Sequence, residues 1–273
     1  MNPSGELMSE SRTVRAATAT ATVLALALAA VGMIHAAPVE AQSRSDYMLG
    51  RPRATLTLRA GAARPNASDG VFAFTSDLLG PRGSQRPLNG NDYVGVSFGG
   101  DIGVPLTQRL ELQFSASTVS RRVQSEYRNF VDNRDLPIEQ ATRLRRTPLS
   151  LGMRFNLVPA GRSVSRLAWV PTKIIPYLAA GAGAMNYRFR QEGDFVDFRA
   201  ANLDVFAANL EAKGWAPLAY GATGVTWAML PAVAINTELR YDHSRAPLQG
   251  DFTGFDRTAL SGIGLTSGLQ FRF

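Results

Sequence analysis

Long stretches of the chain alternate strictly between apolar and polar or small residues, the period-2 signature of a strand with two unlike faces. Over residues 54–62, Leu56, Leu58, Ala60 and Ala62 alternate with Thr55, Thr57, Arg59 and Gly61. Over 92–104, Val94, Val96, Phe98, Ile102 and Val104 oppose Gly95, Ser97, Gly99, Asp101 and Gly103. Residues 110–118 set Leu110, Leu112, Phe114 and Ala116 against Glu111, Gln113, Ser115 and Ser117. Residues 148–157 set Leu149, Leu151, Met153, Phe155 and Leu157 against Ser150, Gly152, Arg154 and Asn156. In 232–243 the apolar face is Val233, Ile235, Leu239 and Tyr241, with Thr237 among them, and the polar face is Asn236, Glu238, Arg240 and Asp242. The last stretch sets Ile263, Leu265, Leu269, Phe271 and Phe273 against Gly262, Gly264, Thr266, Gly268, Gln270 and Arg272. Segments 173–189 and 215–230 are small on both faces, so their phase stays open until Val225, Trp227 and Met229. The pattern predicts eight strands.

A soluble sandwich also alternates, so two further features decide. The polar face carries isolated charges, Arg59, Asp101, Glu111, Arg154, Glu238, Arg240 and Arg272, among Gly, Ser and Thr. Connection lengths also alternate: 105–108 and 230–232 are tight, whereas 63–91, 129–142, 190–213 and 243–257 are long. Short turns at one end and long loops at the other belong to a transmembrane barrel. The 159–172 connection is the exception, a long join on the short side. A tilted strand of about 9–11 residues crosses a bilayer, and each segment supplies that. Hydrocarbon offers no hydrogen-bond partners, so the sheet has to close on itself. The expected fold is all-β, an eight-stranded antiparallel up-and-down transmembrane barrel. Closure makes the last strand pair with the first, and this explains how the chain can end on a bare phenylalanine.

The ending "GLQFRF" resembles the C-terminal signature of bacterial outer-membrane β-barrel proteins. Leu269, Phe271 and Phe273 match it, while Ser267 stands where an apolar residue is usual. Residues 176–189 and 238–243 are similar to segments of the small eight-stranded barrels of the OmpA, OmpX and OmpW kind. The resemblance implies an outer-membrane location, contact with outer-membrane lipids and lipopolysaccharide, and reading of the terminal residues by the barrel-assembly machinery. It specifies architecture rather than activity, because the fold hosts many functions. A structural or surface-interaction role is expected. A narrow OmpW-like conduit for small or apolar solutes and a lipid A-modifying enzyme are the alternatives.

Composition changes the picture mainly at the N-terminus. Arg12 and Arg15 precede an apolar run, Ala16 to Ile34, and Val39 and Ala41 occupy the positions signal peptidase reads. Residues 1–41 are therefore expected to be a cleaved signal peptide and 42–273 the barrel domain. The chain has no cysteine, and its +7 net charge is nearly all arginine, with Lys173 and Lys213 the only lysines. No basic helix or interleaved aromatic–basic run points to nucleic acid. Metal-ligand spacing and cofactor fingerprints are absent, so no cofactor is expected.

Four candidate sites remain. The lumen charges are expected to form a paired plug, since buried charges must be compensated; a gated solute path is the functional counterpart. His243, flanked by Asp242 and Ser244, departs from the Ser-two-residues-later spacing of the lipid A deacylases that resemble such barrels, so an interface histidine facing lipopolysaccharide headgroups is expected. The basic clusters 120–122 and 143–146 are expected near the outer strand ends, where arginine forks suit lipopolysaccharide phosphates or simply face water. In the third loop, Phe195, Phe198, Val205, Phe206 and Leu210 suggest one or two short amphipathic helices ended by Gly214 and capping the barrel mouth.

Overall fold

The computed structural model describes residues 47–66, 80–81, 86, 88–131, 134–165, 167–197, 204–254 and 257–273. The expected signal peptide lies outside these residues. Among them run eight long strands: β1 Thr55–Pro65, β2 Gly95–Pro105, β3 Leu110–Val131, β4 Pro137–Asn156, β5 Ile174–Val196, β6 Val205–Ala228, β7 Val233–Ala246 and β8 Gly262–Arg272. Each pairs antiparallel with the next in sequence. β8 then returns to β1, from Gly262 opposite Pro65 to Arg272 opposite Thr55, and the ring is closed.

The terminus is held by this closure. The Phe273 amide donates to Ala54 O at 3.0 Å, and its carbonyl accepts from the Arg53 and Ala54 amides at 2.6 and 3.3 Å. Among the described residues, the seam that closes the ring therefore leaves no open edge within it.

Side chains alternate in and out along every strand. The outward set is apolar and bare: Leu58, Phe98, Phe114, Leu151, Leu178 and Leu265 are each 47–58% exposed. The inward set is polar and covered: Arg59, Asp101, Glu111, Arg154 and Glu238 are each 7% exposed or less. A ring that hides its charges and bares its large apolar residues all round is inside-out for water and matched to lipid. The protein spans a membrane with these strands.

β3, β4, β5 and β6 contain 22, 20, 23 and 24 residues. Roughly half of that length crosses a bilayer, so these four strands rise beyond it as a wall on the long-loop side. This corrects the third-loop expectation. The described residues of 193–214 form no helix; β5 runs to Val196 and β6 starts at Val205, and the two pair here with Phe195 opposite Phe206, ring centroids 6.1 Å apart. Gly214 is a mid-strand position rather than a stop. A Cβ there would sit 3.0 Å from the Tyr187 hydroxyl, so the missing side chain makes room for that ring. The 129–142 connection likewise shrinks to the short gap between β3 and β4. Phe198 lies outside the described residues.

The irregular 159–172 join also has a structure. Gly161–Ser163, Ala168–Pro171 and Met48–Leu49 make a separate three-stranded sheet at the short-turn end. Its Trp169 is 3% exposed, with the Arg272 guanidinium 6.0 Å from its ring centroid.

Candidate functional site: a layered lumen and a basic outer wall

The lumen is built in layers from the short-turn end upward. In the first, Glu111 accepts from Thr55 Oγ1 at 2.5 Å. Arg154 donates to Asn156 and Thr226 at 3.1 and 2.7 Å, with its guanidinium 3.7 Å from the Tyr177 ring centre. Arg272 donates to Pro231 O at 3.3 Å. None of these three makes a direct ion pair among the described residues; neutral donors, acceptors and a ring face hold them instead.

The second layer spans the bore. Arg59 on β1 pairs with Asp101 on β2 at 2.9 Å and with Glu238 on β7. The second carboxylate oxygen of Glu238 accepts from Tyr177 Oη at 3.0 Å, and Asn236 Nδ2 donates to Tyr177 Oη and Thr226 Oγ1 at 3.1 and 3.0 Å. In the third layer Arg240 pairs with Asp242 at 2.8 Å, donates to Ser150 Oγ at 3.0 Å, and lies 3.8 Å from the Tyr220 ring centre. The structure thus brings Arg59, Asp101, Glu238 and Arg240 into one stack around Tyr177 and Tyr220. It places Glu111, Arg154 and Arg272 in a less tightly paired layer below.

The tyrosines explain several glycines. A Cβ on Gly152 would lie 2.3 Å from the Tyr220 hydroxyl, and one on Gly224 2.5 Å from that of Tyr177. Large inward rings need empty positions on neighbouring strands.

Above the charged stack the lining becomes apolar. Met185, Tyr187, Phe189 and Leu218 point inward from the wall and pack with Leu88, Tyr93, Leu248, Phe252 and Leu260. The Phe189 and Phe252 rings meet edge to face at 5.0 Å, and the Tyr187 hydroxyl donates to Pro247 O at 3.0 Å. The described residues that pack against the wall here come from the first and fourth connections. Alternation could not reveal this layer, because on β5 and β6 both faces are small or apolar below it.

Beside this layer, Asn89 caps the turn 90–93 and accepts from the Asn91 amide at 2.9 Å. Asp92 receives a two-pronged Arg86 contact at 2.6 and 2.9 Å. That guanidinium, acting through hydrogen bonds, holds the Asp92 carboxyl below the usual carboxylate range.

The basic clusters split between the two faces. Arg121 and Arg146 take the inward phase, Arg121 exposed near the mouth and Arg146 buried at 4%. Arg122, Arg143 and Arg145 face outward and continue across the sheet. Ser120, Arg145, Arg188 and Lys213 share one row, and Arg122, Arg143, Arg190 and Glu211 the next. Glu192 pairs with Arg190 and Arg122 at 2.7 and 3.7 Å; Glu211 pairs with Arg188 and Lys213 at 3.4 and 3.7 Å. Arg143 and Arg145 have no ion-pair partner among the described residues. Exposed Trp215 lies two residues below Lys213, at the top of the apolar belt, and Glu126 faces Glu139 two rows above Arg122. Cations are thus in excess just above the exposed apolar belt.

His243 is exposed on the outer face, while Ser244 is 1% exposed on the inner one. The two side chains diverge, so a Ser–His pair does not form here.

Neither a protein-family model nor a curated protein sequence matches the chain. Solved structures with a similar course include outer membrane protein OprG from Pseudomonas aeruginosa, at 12% identity and TM-score 0.45, covering 83% of this chain and 99% of that one. Neisserial surface protein A gives 11% and 0.37 over 85% of this chain and 100% of the other. E. coli outer membrane protein W gives 16% and 0.34 over 83% and 100%. At such values the assignment rests on the chain's own closed ring, apolar belt and buried charges. On those grounds the chain has the architecture of the small eight-stranded outer-membrane β-barrels.

Proposed function

We propose that this is a non-enzymatic barrel of the bacterial outer membrane with a plugged lumen and a lipopolysaccharide-binding outer wall. The observation that carries the reading is the Arg59 bridge, which reaches from β1 to Asp101 and Glu238 and fills the bore between them. An eight-stranded barrel has just enough interior for side chains, and the apolar layer above this bridge fills the mouth. The wall then does the work. Its excess guanidinium groups, at headgroup height, suit the phosphates of lipopolysaccharide. Leu269, Phe271 and Phe273 serve the barrel-assembly machinery, an assignment supported by the sequence resemblance.

Two measurements test this. Reconstituted protein should show no unitary conductance in planar bilayers. Binding to vesicles containing bisphosphorylated lipid A should exceed binding to dephosphorylated ones, and combined Arg143→Gln, Arg145→Gln and Arg188→Gln should weaken it roughly tenfold, as the loss of several modest exposed contacts implies. Equal binding to both vesicle types removes the lipopolysaccharide reading.

A narrow conduit for apolar solutes is favoured by one feature, the apolar upper compartment around Met185, Phe189 and Leu260. Stepwise conductance in the bilayer experiment would replace the plugged reading with it.

A further inference from the structure

The lumen charges balance in the upper layers and not in the lowest. Around the charged stack, Arg59, Arg146 and Arg240 face Asp101, Glu238 and half-buried Asp242, three against three. In the layer below, Arg154 and Arg272, 3% and 6% exposed, share Glu111 alone. Neither guanidinium has an ion-pair partner among the described residues. Arg154 donates through Nε and Nη2 to Asn156 and Thr226. Arg272 donates only to Pro231 O, at a long 3.3 Å, so its Nε and Nη2 have no acceptor among the described residues. A buried charge is costly enough that proteins rarely keep one uncompensated.

Both guanidinium groups line a cavity of about 40 Å³ at the short-turn end, together with Glu111, Trp169, Thr107 and Arg51. Thr107 and Arg51 are exposed, so the cavity reaches water on that side, the periplasmic side of an outer-membrane barrel. It has room for about three water-sized groups. Size does not choose the occupant; the donors do. Unused N–H groups on planar guanidinium forks suit the two oxygens of a carboxylate. Glu111 does not fill that role, because its Oε1 accepts from Thr55 and it stays beyond ion-pair distance of both arginines. One surplus positive charge calls for a monoanion, whereas a phosphate dianion would reverse the imbalance.

From this geometry we infer that the short-turn end of the lumen is a binding site for a small organic monocarboxylate, held by Arg154 and Arg272 with Arg51 at the rim. The ligand supplies the negative charge that the lowest layer lacks. The site lies at the opposite end from the basic outer wall, so it stands whether or not that wall binds lipopolysaccharide and whether or not the barrel conducts.

The test titrates the full protein in non-ionic detergent with acetate at fixed ionic strength, following indole N–H signals by NMR. Trp169, 3% exposed and part of the cavity wall, is the reporter, and Trp215 on the outer wall is the internal control. Acetate should shift Trp169 saturably and leave Trp215 in place, while uncharged acetamide and chloride should not saturate the signal. Arg272→Met should weaken binding more than about tenfold, as loss of a buried charged partner implies. Arg51→Gln, at an exposed position with no part in folding, should weaken it about two- to fivefold. Glu111→Gln keeps an acceptor for Thr55 but removes the competing carboxylate, so it should tighten binding on the order of tenfold; a purely structural role for the arginines gives no such gain. Absence of saturation by acetate, equal saturation by chloride, unchanged affinity in both arginine variants, or weaker binding in Glu111→Gln would each overturn the inference.

Discussion

Replacing Arg59 with methionine probes the centre of the charged stack. Its guanidinium lies 2.9 Å from Asp101 and also pairs with Glu238, and the three residues are 7%, 3% and 2% exposed. Methionine fills most of the volume but leaves two carboxylates facing each other without a cation. Removing one partner of a buried pair costs about 3–5 kcal/mol, most of it the charge left behind. Here two charges are orphaned, while Tyr177 still donates to Glu238 at 3.0 Å. A loss of about 4 kcal/mol is expected, nearly a thousandfold in the folded-to-unfolded ratio. Urea titration in detergent micelles reads it through the emission of Trp169, Trp215 and Trp227. Adding Asp101→Asn and Glu238→Gln to Arg59→Met should recover more than half of the loss, since only neutral groups then remain. The reasoning is refuted if Arg59→Met stays within about 0.5 kcal/mol of the parent, below any buried-charge cost, or if the triple variant is no better than the single one.

Three further outcomes are expected. Gly152→Ala pushes a methyl to 2.3 Å from the Tyr220 hydroxyl, so it should cost about 1–3 kcal/mol by overpacking, whereas Gly221→Ala, with nothing within 4 Å, should be near neutral in the same titration. The Arg86–Asp92 clip lowers the Asp92 carboxyl in the folded state, so its contribution is complete above the ordinary carboxylate range and is lost as pH falls through the lowered value. The Asn89 amide, 2.8 Å from Asp92 Oδ2, reports that titration by NMR; Arg86→Gln should move its midpoint upward, and an unmoved midpoint dissociates the two residues. Phe273→Ala should reduce assembled barrel in cells yet refold from urea in detergent, because the hydrogen bonds to Arg53 and Ala54 are made by the backbone; equal loss in both settings would make the ring structural rather than a recognition element.

Much of the architecture was legible because the bilayer enforces a two-faced strand. Leu149 to Leu157 carry the outward set without interruption and Val233 to Tyr241 with only Thr237 breaking it, and the inward charges follow by parity. Legibility failed where both faces are alike. β5 presents Ala180, Ala182 and Ala184 outward and Gly181 and Gly183 inward, and only Tyr177 and Tyr187, packed against Gly224 and Gly214 on the neighbouring strand, reveal its phase. It failed again above the membrane, where the strands leave lipid and the rule changes. There Phe195 and Phe206 are a cross-strand pair rather than one side of a helix. Arg146 was hidden in a run of arginines, although it shares inward parity with Arg154 along β4. Counting in twos from Arg154 would have found it.

The seam between β1 and β8 sets a condition on biogenesis. Its partners, Thr55 and Arg272, lie at opposite ends of the barrel sequence, so the final ladder forms only after every other strand has been made. Bringing such distant segments together costs on the order of 5 kcal/mol in chain entropy before a single bond repays it. Until then, β1 and its greasy flank stay open to neighbours. For a polypeptide built this way, closure waits on the arrival of its tail.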